Sequence, residues 1–173
     1  DFHEAQLYRS NVGVSSTAYC GVGVAVELGP IRRCDISKVY RYQNTLYTLR
    51  MTGAQLRTYM EWSAGFYQQY HEGDLTPCFD PKAALFNYDM FQGVNYRVNV
   101  TKEPDSRIEE LAWPHGTPVG DDDVFTLATS NYRVNTHLLG PNSFFGEDDA
   151  PTLLEIDVHG NIGGVRELIA DYI

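Results

Sequence analysis

The chain has 173 residues, 43% of them hydrophobic and 13% aromatic, with 12 tyrosines and a net charge of −10. That length suggests one domain, able to bury roughly two thirds of its unfolded surface without a covalent staple. The acidity disfavours a nucleic acid polymer or an anionic membrane as partner, and no apolar run reaches the ~18 residues of a membrane span.

The chain opens DFHEAQLYRS. It has no initiating Met, no basic leader region and no apolar signal core, so it reads as a piece cut from something longer. Glu4–Arg9 suits a short helix. VSSTAYCGVGVAVELG follows, a run of small and apolar residues. Its GVGVA lacks the third glycine of a dinucleotide loop and the Gly-Lys of a phosphate loop. IRRCDISKVYRYQN carries a DIS turn and then a short helix over Ser37–Tyr40. TLYTLRM alternates, with Leu46, Thr48 and Arg50 opposite Tyr47, Leu49 and Met51, and is a strand. Thr52-Gly53-Ala54-Gln55 has the form of a capping box, in which the threonine hydroxyl accepts from the third amide and the glutamine reaches back. The helix it opens is expected to run to about Tyr70, with Leu56, Tyr59, Met60, Ser63, Phe66 and Tyr67 at helical spacing. Glu72–Pro81 is a loop by its Gly, Pro and Asp content.

Asn87–Met90 leads into GVNYRVNVT, where Val94, Tyr96, Val98 and Val100 alternate with Asn95, Arg97 and Asn99 in an amphipathic strand. SRIEELAW is the expected partner, followed by the turn PHGTPVGDDD. Asp123–Thr129 is more apolar, as a central strand would be. NYRVN recurs at Asn131–Asn135, but its flanks differ from those of Asn95–Asn99. Thr, His, Gly and Pro follow it, so it reads as a strand end passing into a loop. That places Tyr132 at a rim, whereas Tyr96 belongs to the core. GEDDAPTLLEIDVHGN is loop-rich, and IGGVRELIADYI forms a C-terminal helix with Val165, Leu168, Ile169 and Tyr172 on one face. This order of elements, with antiparallel hairpin pairing, implies an α+β fold: a layered sandwich of helices on a mixed or antiparallel sheet.

The chain contains no G-x-S-x-G, no H-E-x-x-H and no cysteine signature. Cys20, Cys34 and Cys78 have no C-x-x-C spacing, which argues against a structural zinc site, and their odd number favours buried thiols over a disulfide with one thiol left over. The five histidines are scattered, and the acidic pairs fall in turns or on exposed strand edges. Two segments instead set a tyrosine beside arginine and asparagine where an element ends: Tyr40-Arg41-Tyr42-Gln43-Asn44 and Asn131-Tyr132-Arg133. Two rings from two loops can form a slot for a flat heterocycle, and base stacking is worth about 1–3 kcal/mol. Asparagine offers a donor and an acceptor to a base edge or ribose, and arginine can grip a phosphate. The candidate ligand contacts are therefore Tyr42, Asn44 and Tyr132, with Asn131, Arg133 and Arg41 beside them. The same aromatics could serve a non-enzymatic sugar- or peptide-binding module, or pack inside a plain structural domain with both rings sealed from water.

From Gly29 to Tyr132, the run GPIRRCDISKVYRYQNTLYTLRMTGAQLRTYMEWSA…NYDMFQGVNYRVNVT…RIEEL…VFTLATSNYRVN resembles the C-terminal domain of the 5'-nucleotidase family. It is most similar to the branch of 2',3'-cyclic-nucleotide 2'-phosphodiesterase/3'-nucleotidases. The D-I-S turn, Y-x-N-T-L before a strand, M-T-G opening a helix, E-W-S-A within it, Y-D-M…G-V-x-Y as the next strand and A-T-x-N-Y at the rim occur in the family's order. The resemblance implies a nucleotide or nucleoside ligand, and a covalently linked N-terminal metallophosphatase domain absent from this segment. That domain would hold a divalent metal pair of zinc, manganese or magnesium type together with the catalytic residues. None of either is implied here. Tyr42 and Tyr132 would sandwich the base, Asn44 would contact it, and Arg133 and Arg41 would meet phosphate or ribose. The implied location is extracellular, periplasmic or cell-wall-attached. Two stretches depart from the family's pattern: ELGPIRRCD stands where many members carry N-G-G-x-R, and VNTHLLGPNSFF where many carry Gly-Gly-Asp-Gly.

Overall fold

The computed structural model describes residues 13–18, 25–158 and 164–173. The helix expected over Glu4–Arg9 lies outside them, as do Cys20, His3 and His159. The strands are β1 (Val14–Ala18), β2 (Leu46–Thr52), β3 (Asp89–Gln92), β4 (Asn95–Val98), β5 (Ile108–Ala112), β6 (Val124–Ser130) and β7 (Thr152–Glu155). The helices are α1 (Arg33–Val39), α2 (Gly53–Ala64), the single turn α3 (Asn131–Arg133), which runs into a π-helix over Val134–Leu138, and α4 (Val165–Tyr172). The main sheet has the order β3-β1-β6-β2-β7, with β4 and β5 forming a separate antiparallel pair. β1 and β6 run parallel and the other neighbours antiparallel, so the sheet is mixed. The fold is α+β, with helices on both faces of that sheet.

Alternation along β2 and β6 explains the layering. Leu49, Met51 and Leu127 enter the main core with Leu56, Tyr59 and Met60 of α2. Leu46 and Ala128 point to the opposite face, where they pack with Val158 and with Leu168 of α4. One β-period thus fills two cores. β6 is central, as its apolar character implied, and β4 pairs with β5 as expected.

The capping box at α2 is complete. Thr52 Oγ1 accepts from Gln55 N at 3.2 Å, and Thr52 N donates to Gln55 Oε1 at 2.9 Å. Gly53 follows because the loop before β6 crowds the helix start: a Cβ there would lie 2.0 Å from Gly120 O. The helix ends at Ala64 rather than near Tyr70. The buried guanidinium of Arg107 takes the carbonyls of Ala64 (2.8 Å) and Tyr67 (2.6 Å), which a continuing helix would need. Gln68 N turns away to Cys78 O.

Other expectations are corrected. β1 is a strand buried on both faces whose polar residues hid it: Ser16 Oγ donates to Thr129 Oγ1 at 2.8 Å and bonds the Tyr59 hydroxyl. The single strand expected after Asn87 splits at Gly93 into β3 and β4, which belong to different sheets. The loop expected after Gly146 contains the edge strand β7. The second NYRVN passes into helix, not loop. Cys34 and Cys78 are exposed free thiols, not buried ones.

Candidate functional site

Because β2 and β6 are antiparallel neighbours, the start of one lies beside the end of the other, with Leu46 opposite Ser130. The residues before β2 and after β6 therefore share one end of the sheet. Asn131 stitches them together. Its amide donates to Thr45 O at 2.9 Å, and its Oδ1 accepts from Thr45 N at 3.2 Å. Asn131 thus spends its acceptor on joining the two loops. Topology brings Tyr42 and Tyr132, remote in sequence, to this same end.

Tyr42 is 48% exposed and Tyr132 40%, so neither ring is sealed in the interior. Tyr42 stands edge-on to the buried Tyr40, with centroids 6.3 Å apart and planes at 80°. Asn44 Nδ2 donates to the Tyr40 hydroxyl at 2.9 Å, which fixes the Asn44 amide. Tyr42, Gln43 and Asn44 line a cleft of about 310 Å³ together with Asp157, Arg166 and Glu167. Tyr132 meets Phe86 edge-to-face at 6.2 Å and lies 6.5 Å from the His137 ring. Arg41 is exposed beside Tyr42.

Arg133 is placed differently from the expectation that it meets phosphate. It is 1% exposed, and its guanidinium is spent inside the protein. Nε and Nη2 donate to the two oxygens of Asp89 at 2.6 and 2.8 Å, Nη2 also donates to Phe86 O, and Nη1 lies 3.0 Å from His137 Nδ1. The cation sits 4.6 Å over the Trp62 ring. A phosphate could reach it only by breaking this network. Arg133 instead anchors the helical turn that presents Tyr132. Tyr59 donates its hydroxyl to the same Asp89. Burial first, then the Asp89 charge, push its phenol well above the ordinary range. Burial and then the Arg133 cation hold His137 below the ordinary histidine value.

Asp89, Asp157, Arg166 and Glu167 did not emerge from the sequence as functional residues. Asp89 stands in the Y-D-M motif, but no spacing connects it to Arg133. Arg166 adjoins the apolar stripe of α4, where it looks like any solvated helix residue.

The family model for the 5'-nucleotidase C-terminal domain matches residues 2–138. The 2',3'-cyclic-nucleotide 2'-phosphodiesterase/3'-nucleotidase of Haemophilus influenzae is 30% identical over 168 residues, covering 86% of this chain and 23% of its own length. A trifunctional nucleotide phosphoesterase of Bacillus subtilis is 26% identical over 163 residues, which make up 86% of this chain and 10% of its own. A Staphylococcus aureus protein solved as a candidate 5'-nucleotidase in complex with alpha-ketoglutarate superposes with a TM-score of 0.77, at 24% identity, over 98% of this chain and 32% of that one. The 5'-nucleotidase precursor of Thermus thermophilus gives a TM-score of 0.71, at 14% identity, over 99% of this chain and 31% of that one. The structural likenesses concern the fold alone, and the chain spans less than a quarter of the length of these two curated relatives.

Proposed function

The chain belongs to the family of 5'-nucleotidase C-terminal domains, and from that premise we propose that it is the substrate-recognition domain of a nucleotide phosphohydrolase. Tyr42 and Tyr132 stack the base between them, and Asn44 offers its free amide oxygen to an exocyclic amino group of the base. Asn131 and Arg133 act behind the two rings, the first by joining their loops and the second by anchoring the turn under Tyr132. Arg41, exposed beside Tyr42, meets ribose or phosphate. The cleft beside Tyr42 carries two carboxylates, Asp157 and Glu167, against one cation, Arg166, whose donors are turned to the Arg41 and Tyr42 carbonyls, so the phosphate points outward. A linked metallophosphatase domain receives it there. That domain's divalent metal pair would activate water and stabilise charge on the transferred group. The parent protein acts outside the cytoplasm: extracellular, periplasmic or attached to the cell wall. Among the described residues, no helix is long and apolar enough to cross a membrane.

The observation that carries this reading is the pair of half-exposed tyrosines that β2 and β6 bring to one end of the sheet. Isothermal titration of the chain with adenosine tests it. The wild type binds adenosine but not glucose or a short neutral peptide. Tyr42→Ala and Tyr132→Ala each weaken binding by about tenfold or more, the worth of one stacked face. Binding of glucose in place of adenosine would support a sugar module instead, and adenosine affinity untouched by both substitutions would remove the stacking role.

A further inference from the structure

We propose that Arg166 is the positioning residue that holds Tyr42 in its ligand-receptive orientation, setting affinity through the ring without touching the ligand. The inference rests on the base-stacking reading above and extends it to a helix beyond the residues 2–138 that the family model matches.

The direction of a side chain from its Cα is set by the peptide planes on either side. Both planes around Tyr42 are held by one guanidinium. Arg166 Nη2 donates to Arg41 O at 2.6 Å, and Arg166 Nε donates to Tyr42 O at 3.2 Å. The first carbonyl belongs to the plane before the Tyr42 Cα and the second to the plane after it. Two donors in a rigid fork fix both planes together, which a lysine ammonium on a flexible stem cannot do.

The rest of the segment is tied at neighbouring points. Val165 N donates to Asn44 O at 2.8 Å, and Asn131 N donates to Thr45 O at 2.9 Å. Attachments at Arg41, Tyr42, Asn44 and Thr45 hold the backbone and leave the Tyr42 ring half-exposed beside the cleft.

The clamp is rigid because its helix is. Val165 and Leu168 of α4 are 2% and 3% exposed, and Leu168 packs with Leu46 and Ala128 under the sheet. Gly164 lets the helix start against the loop: a Cβ there would lie 2.4 Å from Asn44 O. Arg166 is thereby seated on the same sheet that carries the loop. A ring already oriented does not lose that freedom on binding, so affinity rises without a new contact.

The test uses wild type, Arg166→Gln, Arg166→Lys, Tyr42→Ala and the Tyr42→Ala/Arg166→Gln double variant. Adenosine affinity is measured by titration, and hydrogen–deuterium exchange is followed over residues 40–45. Arg166→Gln keeps most of the stem, and the inference predicts about a tenfold loss of affinity, the scale of a charged hydrogen bond. Arg166→Lys loses less, because one carbonyl can still be held. Exchange over 40–45 rises in both, while β2 stays protected. The double variant binds no more weakly than Tyr42→Ala alone, since Arg166 acts through that ring. Additive losses would show that Arg166 contacts the ligand directly and would overturn the inference. Unchanged affinity in Arg166→Gln would overturn it and leave the stacking reading standing. Tyr42→Ala binding as well as wild type would defeat the stacking reading and, with it, this inference.

Discussion

Asp89 receives Arg133 through two parallel hydrogen bonds, with side chains only 1% and 2% exposed. The bridge lies directly beneath the turn that presents Tyr132. Removing one partner of a buried pair strands the other charge away from water. Asp89→Ala is therefore expected to cost about 3–5 kcal/mol of folding stability, read from urea denaturation. A loss below about 1 kcal/mol would mean that water reaches Arg133 in the folded state. Replacing both partners by apolar residues of similar volume should recover much of the loss, because the penalty lies in the uncompensated charge. At this scale the rim tyrosines were legible in the sequence, since each follows or precedes a recognisable strand and stands beside Asn and Arg. The role of Arg133 was not. Its neighbours in sequence describe a surface loop, and only the fold brings Asp89 to it from another strand. A string of residues reports local chemistry, whereas a buried ion pair is a non-local fact.

α2 is an element whose start and end have different origins. Its start is local. Thr52 and Gln55 close a reciprocal pair of hydrogen bonds that four residues suffice to specify. Thr52→Ala removes the acceptor for Gln55 N and is expected to destabilise the protein by about 1 kcal/mol, measured as a lowered denaturation midpoint at constant slope. No change would mean that Asp121 and Asp123, whose carbonyls accept from Ala54 N and Gly53 N, cap the helix without help. The end of α2 is non-local. Apolar spacing continues through Phe66 and Tyr67, but Arg107 arrives from the strand pair and takes the carbonyls the helix would use. The same contrast runs through the strands. β2 and β4 show their period in the sequence. β1 conceals it, because Ser15 and Ser16 are fully buried polar residues, and Ser16 is satisfied by Thr129 and Tyr59. β7 escaped notice because every one of its residues is exposed, leaving no hydrophobic alternation to read.

For the whole molecule, the mixed sheet is the device that brings distant segments to one end. It sets the residues before β2 against those after β6, joins them through Asn131 and Thr45, and leaves Tyr42 and Tyr132 half-exposed at that end. α4 fastens one loop from below the sheet, and the Asp89–Arg133 pair fastens the other from within the main core. A chain with a net charge of −10 repels phosphate overall, so recognition by aromatic faces and amide groups suits it better than recognition by charge. The central claim is that one flat base lies between both rings, and nuclear Overhauser contacts measure this directly. With adenosine at saturation, the adenine H2 and H8 protons are predicted to give cross-peaks to the ring protons of both Tyr42 and Tyr132, each assigned by its disappearance in the corresponding variant, Tyr42→Ala or Tyr132→Ala. Cross-peaks to one ring alone, or to neither, from a chain that has bound adenosine would contradict the account.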